Sequence, residues 1–212
     1  MKEVDFMKDL HKSTKRDYLA RVNDKEFPKA KAAKLAKKFD FDYWDGDRRI
    51  CYGGYKYIEG RWTEIAKSIY SYYELKPNSK ILDVGCGKGF LMYEFTKLYP
   101  EIEVYGLDIS EYAISNSKKE IRSSIVNGNA NLLPWEENTF DLVISINTLH
   151  CLHNYDLIKA LIEIERVSKK DKYICVESYR NEEEKANLLY WQVSCEAFNT
   201  PLEWKWWFKT NA

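Results

Sequence analysis

The sequence predicts an α/β domain, doubly wound around a mostly parallel sheet and preceded by a helical, aromatic extension. Three observations predict it. From Lys80 onward, short runs rich in Ile and Val alternate with amphipathic stretches, as strands and crossover helices of a parallel sheet do. The first run, "KILDVGCGKGF", ends in an acid and breaks into three glycines set two apart. The 212 residues are enough for one such domain with a sizeable core and too few for two comfortable ones. We expect an extension and lid over residues 1–61 and the α/β domain over residues 62–212.

Val4 to Phe39 reads as two lysine-rich amphipathic helices broken at "FPK", with Pro28 at a first helical position. "DFDYWDGDRRICYGGYKYIEGRW" follows, dense in Gly, Asp and Tyr and without clear periodicity; it reads as a long loop, and such loops often act as lids. Trp62, Ile65, Ala66, Ile69, Tyr70 and Tyr73 then recur at helical spacing until "KPNS" stops the helix. Beyond it come the strand "KILDVG", a helix to about Leu98, "EVYGLD", and a helix from Ser110. The strand "SSIVNGN", the strand "FDLVISIN", a helix around "LIKALIEIERVS" and the strand "KYICVES" complete the alternation. In open α/β sheets, ligands bind beyond the carboxyl ends of the strands, where strand order reverses. The residues following each of these runs are therefore the candidates for a site.

Lys and Arg total 33 against 33 Asp and Glu, so no long-range field draws the chain to nucleic acid or an anionic membrane. The longest apolar stretches are strand-sized, and the first residues contain no unbroken apolar run. Five cysteines, Cys51, Cys86, Cys151, Cys175 and Cys195, are odd in number and form no C-x-x-C pair, which suits a reduced compartment. A soluble cytoplasmic protein is expected. The 16 Tyr and 7 Trp concentrate in the loop before the α/β region and in "PLEWKWWF".

The glycine turn discriminates among ligands. A P-loop needs G-x-x-x-x-G-K-[ST], but Gly87-Lys88 is followed by Gly89. A dinucleotide fingerprint fits Gly85 and Gly87 but finds Phe90 where its third glycine belongs. Asp83 is poorly matched to a pyrophosphate, since like charges about 4 Å apart repel by about 1 to 4 kcal/mol. An acid there makes sense opposite a cation. S-adenosyl-L-methionine carries an ammonium and a sulfonium and no phosphate. Asp83 would face its amine, directly or through water, and Asp108, about twenty residues past the turn, would accept both ribose hydroxyls. Cys86 reads as a small filler of the loop and Lys88 as a solvated first-turn residue.

At these residues the sequence resembles the class I S-adenosylmethionine-dependent methyltransferases. "ILDVGCGKG" matches their first motif nearly letter for letter, and "VYGLDIS" their acidic second-strand end. "NGNANLLPWEENTFDLVISINTLHCL" is similar to the block that follows. The resemblance runs from Lys80 to about Ser178 and implies a Rossmann-like methyltransferase fold. It adds Ile109 to the cofactor contacts of Gly85, Cys86, Gly87 and Gly89. It sets Asn129 and Ala130 beside the adenine, and Ile146 and Asn147 near the methionyl part. Many relatives have Asp where this chain has Asn129; a plain turn role is the alternative there. The resembled fold closes with an antiparallel strand pair, whereas this chain stops soon after "EWKWWFKTNA". A missing hairpin would leave an open sheet edge, expose Trp204, Trp206 and Trp207, and favour association with another copy.

Methyl transfer from a sulfonium is an in-line displacement that rests mainly on alignment, with a base wherever the acceptor must lose a proton. "NTLHCLHNY" follows the fourth strand, so His150 is the candidate base; a helix-start histidine bonded to backbone is the alternative, more strongly for His153. A metal on H-x-x-H lacks a third ligand in sequence reach, so no metal is assigned. Glu177, Tyr179 and Arg180 follow the fifth strand and would face the acceptor or cap the next helix. Tyr52, Tyr55, Tyr57 and Arg61, beside Arg48 and Arg49, would form the lid or simply pack. The reading is a methyltransferase for a small polar acceptor: a sugar, nucleotide-sugar or phosphorylated metabolite. "YGGYKYIEGRW" ahead of "ILDVGCGKG" also resembles methyltransferases of bacterial surface-polysaccharide synthesis. A non-catalytic partner subunit of the same fold is the alternative. Aminopropyl transfer finds no acid-rich pocket in the sequence.

Overall fold

The computed structural model describes residues 1–8, 10 and 17–211. The α/β region contains β1 (Lys80–Val84), α5 (Phe90–Leu98), β2 (Glu103–Asp108), α6 (Glu111–Ser115), α7 (Lys119–Arg122) and β3 (Ile125–Asn127). It continues through β4 (Phe140–Ile146), α8 (Asn154–Val167), β5 (Ser168–Cys175), α9 (Glu182–Trp191) and α10 (Pro201–Asn211). Ahead of it lie α1 (Tyr18–Asn23), α2 (Lys29–Ala36), α3 (Phe41–Trp44) and α4 (Thr63–Tyr72). The strands form one sheet in the order β3-β2-β1-β4-β5, every neighbouring pair parallel. Strand order reverses between β1 and β4, which opens the crevice over their carboxyl ends.

Successive strand residues face opposite sides, and both sides are covered, so the strands must be apolar nearly throughout. On one face Ile81, Leu142 and Ile144 pack against Ile65 and Ile69 of α4 and Leu91 and Phe95 of α5. On the other, Leu82, Val84 and Val143 pack against Leu157, Leu161 and Ile164 of α8 and Trp204 of α10. A third cluster joins the extension to the domain: Ala32 and Ala36 of α2, Tyr43 and Trp44 of α3 and Ile50 meet Ala113 and Val193. The buried Arg21 of α1 ties this layer together, its Nη2 donating to the Ile50 carbonyl at 2.8 Å.

Several elements differ from expectation. Part of the first expected helix, residues 9 and 11–16, lies outside the described residues; within them it is only the six-residue α1. Pro28 precedes α2 as its cap instead of opening it, because its ψ of 146° is extended. The aromatic loop contains the short α3, started by Asp40, whose carboxylate accepts the Phe41 N–H. β5 starts at Ser168, four residues before "KYICVES". "PLEWKWWFKTN" is a helix that runs along α8, so Trp204 is 3% exposed and not part of an open surface. Its Nε1 donates to the Glu177 carbonyl at 3.0 Å; Trp206, on the other side of α10, is 58% exposed. No helix among the described residues is long and apolar enough to cross a membrane.

Candidate functional site

The cavity lies over the carboxyl ends of β1, β2 and β4 and under the aromatic segment that follows α2. The glycine turn forms its floor. Gly85 and Gly87 sit at φ +79° and +56°, a region in which a side chain strains the backbone. A Cβ on Gly85 would also run into the Thr148 side chain, and one on Gly87 would lie 2.6 Å from the Trp44 ring. The turn is pinned to β2 by Gly85 N–H donating to the Leu107 carbonyl at 2.7 Å.

Two acids end adjacent strands. Asp108 accepts from Gly87 N–H at 2.6 Å through one carboxylate oxygen and from Ser110 N–H at 2.8 Å through the other. Each oxygen keeps a second lone pair for a ligand hydroxyl. Burial pushes the Asp108 carboxyl up, against the pull of those two N–H groups. Asp83 is 6% exposed, and burial, followed by the charge of Asp108, pushes it up to about 7.

Asp83, Gly85, Cys86 and Gly87 line the cavity together with Asp108 and Ile109. Asn129, Ala130, Ile146 and Asn147 line it as well. Gly89 does not; it caps α5 in the left-handed conformation, where a Cβ would press on Ile121 at 2.5 Å. The Cys86 thiol is pushed far up by burial, then by the two acids, so it is wall and not nucleophile. Asn129 also accepts from Asn131 N–H at 3.2 Å, the turn contact weighed for it above. Asn147 holds φ +56° at the end of β4, a strained position of the kind that clusters at functional sites.

Of the expected acceptor residues, Tyr52 and Tyr55 line the cavity. Tyr57 instead points to the buried Glu94 of α5, and Arg61 is exposed outside the cavity wall. The Glu177 carboxylate accepts from the Gln192 amide, Tyr179 lies beneath Lys185, and the exposed Arg180 pairs with Glu184 of α9. These three belong to the packing of α9 and α10 and do not converge on the cavity, because the chain after β5 turns into those helices.

His150, the expected base, also lies outside the cavity lining and makes the backbone bond given as its alternative. It is 2% exposed, and its Nδ1 accepts the Glu177 N–H at 3.2 Å. Its own carbonyl accepts from Glu196 and Ala197 N–H, so it joins the turn after β4 to the end of β5 and to the C-terminal segment. Burial lowers its pKa, the nearby Glu177 opposing, and keeps the ring neutral.

Sequence reasoning expected an aromatic lid with Tyr52 and Tyr55 but missed its other members and its tether. Phe39, Tyr43, Trp44 and Trp62 line the cavity with Tyr52 and Tyr55. Trp44 stacks on Tyr52 with rings 4° from parallel, and its Nε1 donates to Ser110 Oγ at 2.9 Å. Lys88 is 4% exposed instead of solvated and pairs with Asp45 at 2.6 Å. The available signal was the density of aromatics and acids in "FDYWDGD"; which of them faces the turn has no periodic signature.

A family model described as "Methyltransferase domain" matches residues 75–211. An uncharacterised methyltransferase of Schizosaccharomyces pombe is 33% identical over 120 residues, 51% of this chain and 42% of that protein. The mitochondrial arginine-hydroxylase NDUFAF5 of Mus musculus is 37% identical over 91 residues, 42% of this chain and 26% of that protein. The chain thus spans less than half the length of these relatives. The crystal structure of the YcgJ protein of Bacillus subtilis shares the fold, with a TM-score of 0.56, 20% identity, and 69% of this chain and 66% of that one covered. With its five-stranded parallel sheet and this match over most of its length, the chain belongs to the methyltransferase domain family and has the doubly wound fold of the class I S-adenosylmethionine-dependent methyltransferases.

Proposed function

We propose that the protein transfers a methyl group from S-adenosyl-L-methionine to a small uncharged acceptor. The observation that carries this reading is Asp108, held by the turn's own Gly87 N–H with lone pairs left over, next to Asp83 on the adjacent strand. The residues present fit the cofactor: the two glycine positions leave no room for a side chain, and both acids line the same cavity. Asp108 would accept the ribose hydroxyls, Asp83 would face the amine, and Asn129 and Ala130 would border the adenine. The cofactor supplies an electrophilic methyl on sulfur when bound. The protein's own contribution is alignment and exclusion of water beneath the aromatic roof, and well-aligned reactants recover about 7 to 11 kcal/mol of barrier.

The acceptor side is walled by Tyr43, Tyr52, Phe39 and Leu152, with Asn147 and Thr148 at the end of β4, and among the described residues no Lys or Arg lines the cavity. Burial, first among the causes, pushes the Tyr43 and Tyr52 phenols upward and the Cys151 thiol to about 11, so these groups stay neutral near pH 7. Such a wall suits an uncharged molecule with an apolar face and hydroxyls, such as a sugar ring, and speaks against a phosphate. A link to surface-polysaccharide synthesis would follow from a sugar acceptor and rests on the sequence resemblance.

One of the relatives, the mouse hydroxylase, is named for other chemistry, and fold alone does not assign a reaction. Calorimetry with S-adenosylmethionine and with its demethylated product should give binding heat for both. Mass analysis of uncharged sugars incubated with enzyme and cofactor should then show one added methyl. Absence of heat with either nucleoside overturns the enzyme reading and leaves the partner-subunit one; one added oxygen overturns methyl transfer.

A further inference from the structure

The roof is fastened to the cavity floor by an ion pair between the buried Lys88 and the half-buried Asp45. Lys88 belongs to the glycine turn, yet its side chain is 5% exposed. Its Nζ donates to Asp45 Oδ2 at 2.6 Å and to the Tyr55 carbonyl at 2.8 Å, and it lies 5.7 Å from the Tyr112 ring centre. Asp45 is fully engaged: Oδ2 also accepts from Tyr112 Oη at 2.8 Å, and Oδ1 accepts from Tyr55 N–H at 3.0 Å. Burial alone would raise the Asp45 carboxyl, but the bonds from Lys88 and Tyr112 outweigh it and hold it below the ordinary value.

The neighbouring Trp44 covers Gly87 and bonds Ser110 Oγ. Gly87 and Ser110 are also the two residues whose N–H groups hold Asp108. Roof and cofactor acid therefore share partners. The roof is bounded by Phe39 at φ 52° and Gly60 at φ +78°, with Gly53 and Gly54 also at positive φ.

We propose that Asp45, Lys88 and Tyr112 form a latch that closes the aromatic roof onto the glycine turn, so that the roof opens and shuts together with the cradle of Asp108. Lys88 is then a positioning residue, not a ligand of the cofactor. The consequence for ligand exchange rests on the cofactor reading above; the latch itself does not.

Two measurements separate these. In the ligand-free protein, amide hydrogen exchange reads the roof through the N–H groups of Tyr52, Gly54 and Tyr55, which bond to the Tyr43 and Trp44 carbonyls. Lys88→Met and Asp45→Asn should speed their exchange at least tenfold, and Tyr112→Phe, which removes one bond only, about threefold, with β1 and β4 amides unchanged. Stopped-flow tryptophan fluorescence with S-adenosylhomocysteine should show dissociation at least tenfold faster in Lys88→Met and association changed less than threefold. Unaltered roof exchange in Lys88→Met and Tyr112→Phe overturns the latch, as does equal acceleration in roof and strands. If the unaltered protein fails to bind the nucleoside, the cofactor reading falls and roof exchange alone decides the latch. Faster roof exchange with unchanged dissociation overturns the coupling.

Discussion

Asp83 and Asp108 lie near the carboxyl ends of adjacent parallel strands, Asp83 in register with Gly106 two residues before Asp108, and their environments differ. Asp108 has two backbone N–H groups aimed at it; Asp83 is shifted upward by burial and by its neighbour's charge, to about 7 from an ordinary 3.8. Between those values the folded state holds a proton at Asp83 that the unfolded chain has released. Its stabilising contribution is thus complete below about pH 4 and lost as pH rises through about 7. Denaturant unfolding at pH 5 and pH 8 should show the native protein losing at least about 1 kcal/mol more than Asp83→Asn over that interval. A cationic ligand reverses the preference, since it favours the carboxylate. Cofactor affinity in the native protein should therefore rise with pH up to about 7, with proton release on binding in calorimetry below that pH, and Asp83→Asn should lose both effects. The two acids and most of the glycine turn were legible in the sequence because they are local to strand ends. His150 was not: its distance from the cavity depends on the Glu177 N–H and on the C-terminal segment that packs over it.

At the scale of elements, the alternation of strands and helices was legible because a sheet covered on both faces demands near-continuous apolar strands, and its helices a 3.6-residue apolar stripe. The C-terminal "EWKWWFK" was less so. Its three tryptophans suit a strand, a helix or an exposed patch equally, and α8 decides by offering an apolar groove that takes Trp204 and leaves Trp206 outside. Trp204→Ala should cost about 3 to 5 kcal/mol in denaturant unfolding, as large-to-small core substitutions do, whereas Trp206→Ala should change stability by less than about 0.5 kcal/mol. Equal effects would mean that α10 does not pack through this face. β5 likewise begins earlier than its composition suggests; the charged "SKKD" enters the strand by pairing with β4, Ser168 beside Phe140 and Asp171 beside Leu142.

For the whole molecule, the extension is part of the site instead of a separate decoration. α2, α3 and Ile50 share a cluster with α6 and Val193, and six aromatic side chains roof the cavity. Ligand binding should therefore stabilise extension and sheet together. Saturation with S-adenosylhomocysteine at a hundredfold over its dissociation constant should add about 2.7 kcal/mol and raise a single unfolding midpoint by about 5 to 11 °C. Two separate midpoints, with only one moved, would show that the extension unfolds independently. The sequence by itself determined the doubly wound domain and the acid-flanked glycine turn, because these depend on periodicity and on residues close together in the chain. The tertiary structure alone decided which distant side chains meet: Trp44 over Gly87, Asp45 on Lys88, and Arg61, Arg180 and His150 kept out of the cavity. Those contacts arise from packing between segments tens of residues apart, whose register no local pattern records.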